Sequence, residues 1–412
     1  MAKRKIKIAV FQCSFVYSGG GERIVLEEVK GLRKRGYKVF CWAPALEEKK
    51  SFPGMIKKVK VKTFLPQLPS WFPARHAFSM IASSIFAPFL SWRFKDVDLF
   101  LTAGQPSAWI AFCCAKILGK PYITYLNQPN RLLYQREVDK ESRWQTEKSY
   151  YFLNRVIQNF RSIVNILDKI SFQKANQMLV NGAYMAGVVE QVYQRKPQLC
   201  PAGAYLKPFA KLKLNPTTNY KGLLKLGRVL IPKPFILITN RHEPQKKFEY
   251  VIQALKRVLA KYPHVFLVIP GPFTSYTPGL ISLAKKLKVE ERVLFLGEIS
   301  EAKLQKLYQQ AAVYCYPAPE EDFGLGPLEA GAWGVPTVAW NKAGPTVTVK
   351  NGVTGFLVRP FKVGDYAEKI IRLLKNPKLR AKMGKASWQR VKNQFVWEKH
   401  IDILEKEIKK LI

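Results

Sequence analysis

The residues best suited to chemistry are two glutamates, Glu321 and Glu329, which follow an apolar run at 313–316. An ionised carboxylate accepts hydrogen bonds from several hydroxyls at once, so two of them beyond one strand suit a hydroxyl-rich ligand. Pro327 fits the first position of a helix, which leaves 323–326 as a loop and places Glu329 in the first helical turn. The alternative is a glutamate favoured by the helix dipole beside a solvated one.

Two basic residues follow a second predicted strand, at 235–239. Arg241 and Lys246 could neutralise a phosphate that gains charge as a leaving group. In a chain with 68 Lys and Arg residues, the alternative for any single one is a solvated surface charge. Their place at the end of a strand favours the phosphate.

A glycine-rich turn, which includes Gly19 and Gly20, joins the first predicted strand to a helix predicted over 21–35. Glycine lets the backbone approach a ligand closely, and the free N–H groups of a helix N-terminus attract an anion. A plain tight turn is the alternative. The spacing is not GxGxxG, which argues against a nicotinamide-dependent oxidoreductase.

Composition limits the possible partners. The chain has 412 residues, 48% hydrophobic and 13% aromatic, which excludes a disordered or collagen-like protein. Its formal net charge of +39 requires an anionic partner: nucleic acid, an anionic membrane face or a phosphate-bearing substrate. The sequence lacks zinc-finger spacing, an aromatic RNP pattern and a basic heptad region, so no nucleic acid partner is expected.

Cysteine and histidine positions predict no metal site. No CxxC pair occurs, and the four histidines, at 76, 242, 264 and 400, form no cluster in the sequence.

Free cysteines in apolar runs suit a reducing cytoplasm. The first residues lead straight into a predicted strand with no cleavable hydrophobic region, so we expect a cytoplasmic protein.

Short β-branched runs alternate with helical patterns along most of the chain. This rhythm predicts an α/β protein with two Rossmann-like, doubly wound parallel sheets facing a central cleft. A Lys- and Pro-marked stretch at 207–233 is the predicted linker. We therefore predict an N-terminal domain at 1–210, a C-terminal domain at 211–387, and an amphipathic helix at 388–412 that packs across both.

The most apolar segment spans residues 64–94. Its uncharged part, 77–92, is shorter than the ~20 residues that a membrane-spanning helix needs. Two interpretations remain: a buried helix, or a helix in the membrane interface with basic and aromatic flanks. Nearby lysines favour an anionic membrane surface; they are Lys49, Lys50, Lys57, Lys58, Lys60 and Lys62.

These motifs, in this order, resemble those of the family 4 glycosyltransferases. The stretch from Glu321 to Glu329 is similar to the EX7E motif of that family, and Arg241 with Lys246 is similar to its Arg-x4-Lys pair. The run 20–23 resembles its GGxER pattern, and 351–355 resembles its NGxTG segment. The resemblance implies the two-domain GT-B fold and an enzyme that retains anomeric configuration without a metal or other cofactor.

The resemblance also implies roles for individual residues. Glu329 would hold the ribose of a nucleotide sugar, Glu321 would meet donor-sugar hydroxyls, and Arg241 with Lys246 would hold the diphosphate. The resemblance makes 1–210 the acceptor domain and 211–387 the nucleotide-sugar domain, and the nucleotide sugar would be GDP- or UDP-linked. The remaining donor-binding residues implied are Gly19, Gly20, Glu298, Ile299, Phe323, Gly324 and Leu325.

The stretch 125–131 resembles the YxHxPxR loop of lipid-linked oligosaccharide mannosyltransferases, with Asn127 in place of the histidine. It implies that Asn127 and Arg131 face the acceptor, a glycan or polyprenyl-linked sugar. A second departure is Val347, where many relatives have glutamate. We therefore expect a retaining hexosyltransferase, with mannose favoured, peripheral on the inner face of the membrane. The alternatives are an inactive sugar-nucleotide-binding partner subunit and a basic nucleic-acid-binding protein.

Overall fold

A computed structural model of the chain describes residues 4–141, 148–208, 212 and 222–412. The chain forms two compact units. Unit 1 comprises Met1–Ala202 with Trp397–Ile412, and unit 2 comprises Gly203–Val396.

In unit 1 the described residues form a seven-stranded parallel sheet of order β3-β2-β1-β4-β5-β6-β7. Its strands are β1 (Lys7–Gln12), β2 (Lys38–Ala43), β3 (Lys62–Thr63), β4 (Leu99–Ala103), β5 (Tyr122–Leu126), β6 (Gln177–Val180) and β7 (Gln198–Leu199). Strands β4 and β5 are buried along their whole length, which explains why they appear in the sequence as continuous apolar runs.

Helices connect these strands in the predicted βαβ manner. Those of unit 1 are α1 (Gly20–Lys34), α2 (Pro53–Val59), α3 (Arg75–Ile85), α4 (Ala87–Leu90), α5 (Ser107–Leu118), α6 (Glu137–Glu141), α7 (Lys148–Asn159), α8 (Arg161–Gln173), α9 (Ala183–Tyr193) and, numbered in chain order, α17 (Trp397–Lys409). A 3-10 turn follows α4 at Ser91–Phe94.

Unit 2 contains a second parallel sheet, of order β12-β11-β10-β13-β14-β15, and a two-stranded antiparallel hairpin, β8-β9. The strands are β8 (Leu223–Leu226), β9 (Val229–Pro232), β10 (Phe235–Leu237), β11 (Phe266–Pro270), β12 (Val293–Gly297), β13 (Val313–Tyr316), β14 (Thr337–Trp340) and β15 (Gly355–Val358). In both sheets the strand order reverses beside the first strand, between β1 and β4 and between β10 and β13, as in doubly wound folds.

The helices of unit 2 cover its six-stranded sheet. They are α10 (Phe248–Leu259), α11 (Thr277–Lys286), α12 (Glu301–Gln310), α13 (Leu325–Ala332), α14 (Pro345–Thr348), α15 (Val363–Lys375) and α16 (Pro377–Gln394), with 3-10 turns at Pro244–Lys246 and Glu290–Arg292. The doubly wound α/β class predicted from the alternating pattern is confirmed for both sheets.

Two predicted segments differ in the structure. The predicted linker at 207–233 contains the β8-β9 hairpin; its positions 209–211 and 213–221 lie outside the described residues. The single helix predicted at 388–412 is wrong, because α16 ends at Gln394 and α17 begins at Trp397. Between them Phe395 has φ −130°, ψ 45°, which is not helical, so the chain changes direction there.

The apolar segment 64–94 has a buried side and an exposed side. Phe64, Phe94 and Leu90 pack in the unit 1 core with Phe11 and Phe100. Five other side chains of the segment are exposed, and we call this set the apolar patch: Trp71, Ile85, Phe86, Phe89 and Trp92. Part of the segment is therefore core, as the first interpretation expects, and part is accessible to solvent. No helix in the described part of the chain is long and apolar enough to cross a membrane.

Candidate functional site

The predicted site residues of unit 2 lie on both sides of the point where the strand order reverses. Lys246 follows β10, Glu321 follows β13, and these strands are hydrogen-bonded neighbours. Lys246 Nζ forms an ion pair with Glu321 Oε2. The two side chains are only 16% and 20% exposed, so the pair is partly shielded from water. Ligands of doubly wound sheets bind at this edge and at this crossover.

The loop after β13 is held by a second loop. The Gly344 N–H donates to the Glu321 carbonyl over 2.7 Å. A Cβ at position 344 would lie 2.4 Å from the Phe323 backbone nitrogen, so only glycine permits this approach. The segment Ala343-Gly344-Pro345 thus fixes the backbone that carries Glu321 and Phe323.

Helix α13 begins earlier than predicted. Its N-cap is Gly324, in the left-handed region at φ 94°, and Leu325 is the first helical residue. Pro327 is therefore the third residue, which is tolerated because the first-turn N–H groups have no partner within the helix. The placement of Glu329 in the first turn was wrong: it lies in the second.

Each of the two glutamates contacts a buried tyrosine. Tyr308 O–H donates to Glu329 Oε2 over 2.9 Å, and Tyr316 is hydrogen-bonded to Glu321. Burial, and then the neighbouring carboxylate, raise the pKa of both tyrosines well above the ordinary value. Both hydroxyls therefore stay protonated and act as donors. The sequence reasoning missed Tyr308 and Tyr316, because no spacing shows which carboxylate a tyrosine of a neighbouring element will meet.

Arg241 is half-buried directly after β10. Its N–H donates to Asn240 Oδ1 over 3.1 Å, and its carbonyl accepts from the Glu243 N–H over 2.9 Å. The adjacent His242 is buried and hydrogen-bonded to Thr277 Oγ1 at 3.0 Å. Burial lowers the pKa of His242 to about 4, so this ring is neutral at physiological pH.

Glu298 and Ile299 follow β12, at the same edge of the sheet but on its outermost strand. Strand β11 lies between β12 and β10, the strand that Lys246 follows. Glu298 is exposed and Ile299 is half-buried. Beside them, the ring of Phe273 is 57% exposed and lies 3.9 Å from a Cβ built on Gly297.

In unit 1, Gly19 is the N-cap of α1 and Gly20 its first residue. A Cβ at Gly19 would lie 2.5 Å from Glu22 Oε2, and a Cβ at Gly21 would lie 3.3 Å from Asn127 Nδ2. The structure thus brings Asn127 against the glycine-rich turn. These glycines leave room at the N-terminus of a 15-residue helix, where N–H groups face outward.

Arg131 is placed differently from Asn127. Its guanidinium lies 3.5 Å from Asp139, a fully buried carboxylate that also accepts from Arg136 at 3.0 Å. Burial alone would raise the pKa of Asp139, but the two arginines hold it below the ordinary value. Arg131 is therefore an anchor of its own loop in this structure.

Among the described residues, no group of three His, Cys, Asp or Glu side chains could hold a metal ion. The charged groups that the sequence motifs assign to the strand crossover of unit 2 are one lysine, one arginine and two carboxylates. This set can bind an anionic group and hydroxyls together, as a sugar joined to a phosphate would require.

Known families match both units. Residues 18–203 match Glycosyltransferase Family 4, and residues 229–390 match Glycosyl transferases group 1. The chain is a glycosyltransferase with a Glycosyltransferase Family 4 domain in unit 1 and a group 1 domain in unit 2. The resemblance seen in the motifs is thereby confirmed, and so is the assignment as an enzyme.

Individual relatives of this glycosyltransferase extend over its length. It is 25% identical to human alpha-1,3/1,6-mannosyltransferase ALG2 over 416 residues, covering 96% of this chain and 94% of that protein. The D-inositol 3-phosphate glycosyltransferase of Kribbella flavida is 33% identical over 171 residues, 40% of each chain.

Solved structures share the GT-B fold. Anabaena Alr3699/HepE in complex with UDP superposes with a TM-score of 0.74 at 17% identity, over 98% of this glycosyltransferase and 100% of that chain. Sucrose-phosphate synthase from Thermosynechococcus elongatus superposes with a TM-score of 0.74 at 19% identity, over 99% of each chain. At these identities the likeness concerns the fold.

Proposed function

We propose that this glycosyltransferase moves a hexose, with mannose favoured, from a nucleotide diphosphate sugar to a glycan or lipid-linked acceptor, with retention of configuration. The observation that carries the proposal is the partly buried Lys246–Glu321 pair at the strand crossover of unit 2. A cation and an anion held together there supply one group for phosphate and one for sugar hydroxyls.

The four charged residues bind different parts of the donor. Lys246 and Arg241 bind the diphosphate, and Glu329 on α13 accepts hydrogen bonds from the ribose hydroxyls. Lys246 is paired with Glu321 in the structure. A bound diphosphate competes for the ammonium group, and Glu321 is then available to accept from hydroxyls of the donor sugar.

In the proposed reaction the bond between the anomeric carbon and the β-phosphate oxygen breaks, and the diphosphate departs with the electron pair. The acceptor hydroxyl oxygen bonds to the same face of that carbon. The hydroxyl proton passes to the departing phosphate oxygen, so no side chain is required as a base. Lys246 and Arg241 stabilise the charge that develops on the leaving group.

Mannose is favoured because the relatives matched over nearly the whole chain are named as mannosyltransferases. A UDP-linked donor is the alternative, since structural neighbours are described in complex with UDP and with UDP-glucose. The base would lie near Glu298 and Ile299. Asn127, which lies against the glycine-rich turn in unit 1, would contact the acceptor, and Arg131 would hold the acceptor loop in place.

We further propose that unit 1 binds an anionic membrane surface, on the inner face, through the apolar patch. Basic residues lie on and beside the same segment: Arg93 follows Trp92 in the sequence, and its guanidinium lies 4.8 Å from the ring of Trp42, which Lys62 of β3 approaches to 5.4 Å. Exposed Lys57 and Lys58 precede them on α2. Aromatic side chains flanked by exposed lysines are the pattern of interfacial membrane binding.

Calorimetric titration of the purified protein with UDP and with GDP tests the donor site. We expect one of them to bind, and Glu329→Ala to weaken that binding at least tenfold. Glu368→Ala, at an exposed glutamate on α15, is the matched control and should bind like the wild type. Equal affinity of the Glu329 variant and the wild type would contradict the assigned site.

A further inference from the structure

Behind Glu329, three hydroxyl groups form a continuous chain. Tyr308 O–H lies 2.9 Å from Glu329 Oε2 and 3.1 Å from Thr239 Oγ1, and Thr239 Oγ1 lies 2.7 Å from the hydroxyl of Tyr314. Tyr308 and Tyr314 are at most 2% exposed. The chain joins four elements: α13, α12, the end of β10, and β13.

The direction of these hydrogen bonds follows from the carboxylate, which only accepts. Tyr308 must use its one proton toward Glu329, so its oxygen accepts from Thr239. Thr239 in turn accepts from Tyr314. Every hydroxyl then donates once along the chain, and bonds aligned in this way strengthen one another in a buried setting.

The helix that carries Glu329 packs closely on this chain. A Cβ at Gly326, in the first turn of α13, would lie 2.2 Å from the Tyr314 hydroxyl oxygen and 3.1 Å from the ring carbon that bears it. Glycine at 326 therefore lets α13 approach Tyr314 directly. The hydroxyl chain and the helix backbone together fix where the carboxylate of Glu329 lies.

We propose that Tyr308 is a positioning residue for Glu329: the chain Tyr314–Thr239–Tyr308 holds the carboxylate in the orientation that binds the nucleotide. This inference rests on the proposed function, because it takes Glu329 as the carboxylate that binds the donor nucleotide. Removal of the Tyr308 hydroxyl takes away the hydrogen bond that orients Glu329 Oε2, which should weaken nucleotide binding.

The test is a double-mutant cycle between Tyr308→Phe and Glu329→Ala, read as affinity for UDP or GDP, whichever the wild type binds. Loss of a hydrogen bond to a carboxylate predicts about tenfold weaker binding by Tyr308→Phe. In the Glu329→Ala background the same change should have no further effect. Thr239→Val removes the next hydroxyl of the chain and should weaken nucleotide binding about threefold. It provides a second variant if Tyr308→Phe folds poorly.

Tyr276→Phe is the matched control, since it removes another Tyr–Glu hydrogen bond of 2.9 Å in the same unit, to Glu249. It should leave nucleotide affinity unchanged. An equal loss from Tyr308→Phe with and without Glu329 would overturn the positioning role while leaving the donor site in place. If Glu329→Ala alone leaves affinity unchanged, the donor site itself is wrong.

Discussion

Removing the apolar patch should abolish membrane binding. Trp71, Phe89 and Trp92 are 78%, 72% and 71% exposed. Each offers about 150 Å² of apolar surface, worth about 4 kcal/mol on full removal from water at ~25 cal/mol per Å². Half insertion gives about 2 kcal/mol per side chain, or about 30-fold in the partition coefficient. The triple variant to alanine should lose about 6 kcal/mol.

Sedimentation with vesicles of phosphatidylglycerol and phosphatidylcholine measures this partition coefficient directly. The wild type should bind, more weakly at high salt because exposed charges are screened, and the triple variant should stay in solution. Phe361→Ala, at an aromatic residue of unit 2 that is 45% exposed, is the control and should bind like the wild type. Unchanged binding by the triple variant would refute the role of the patch.

Two further changes test the structure itself. Burial raises the pKa of Asp168 to about 6, although the hydrogen bond from Tyr193 acts in the opposite direction. The protonated carboxyl is therefore favoured in the folded state, and the stability that Asp168 contributes at low pH is lost as the pH rises through about 6. The unfolding free energy of Asp168→Asn relative to that of the wild type should therefore rise by about 2 kcal/mol from pH 4 to pH 8 in urea unfolding, and a difference that stays constant with pH would contradict this. Gly344→Ala places a methyl group 2.4 Å from the Phe323 nitrogen. We expect it to lower the free energy of unfolding by about 1–3 kcal/mol, measured by thermal melting, and to weaken nucleotide binding, measured by titration. Gly279→Ala, in helix α11, meets no atom within 4 Å and should stabilise by up to about 1 kcal/mol; equal behaviour of the two alanine variants would count against the packing argument.

Much of the fold was predictable because buried parallel strands form continuous apolar runs. The apolar run at 313–316 is strand β13, the strand predicted over 235–239 is found at Phe235–Leu237, and the helix predicted over 21–35 is found at Gly20–Lys34. Short edge strands gave no such signal. Lys62–Thr63 and Gln198–Leu199 have two residues each, too few to show a period.

The site was predictable in its residues and not in its contacts. The motif spacing singled out Glu321, but its ion pair with Lys246 spans 75 positions and arises because β10 and β13 are neighbours in the sheet. The start of α13 was misplaced because Pro327 was taken as the first residue, whereas the left-handed Gly324 begins the helix. The hydroxyl chain behind Glu329 depends on how α12 packs, which no local pattern encodes.

The most direct test of the central claim is release of nucleoside diphosphate from a panel of GDP- and UDP-sugars in the presence of a polyprenyl-linked glycan acceptor. We predict that the wild type releases it from one donor, with the hexose recovered on the acceptor in the anomeric configuration of the donor. Glu321→Gln should abolish transfer, whereas Glu368→Gln should not. Full transfer by Glu321→Gln, or no release from any donor by the wild type, would contradict the account.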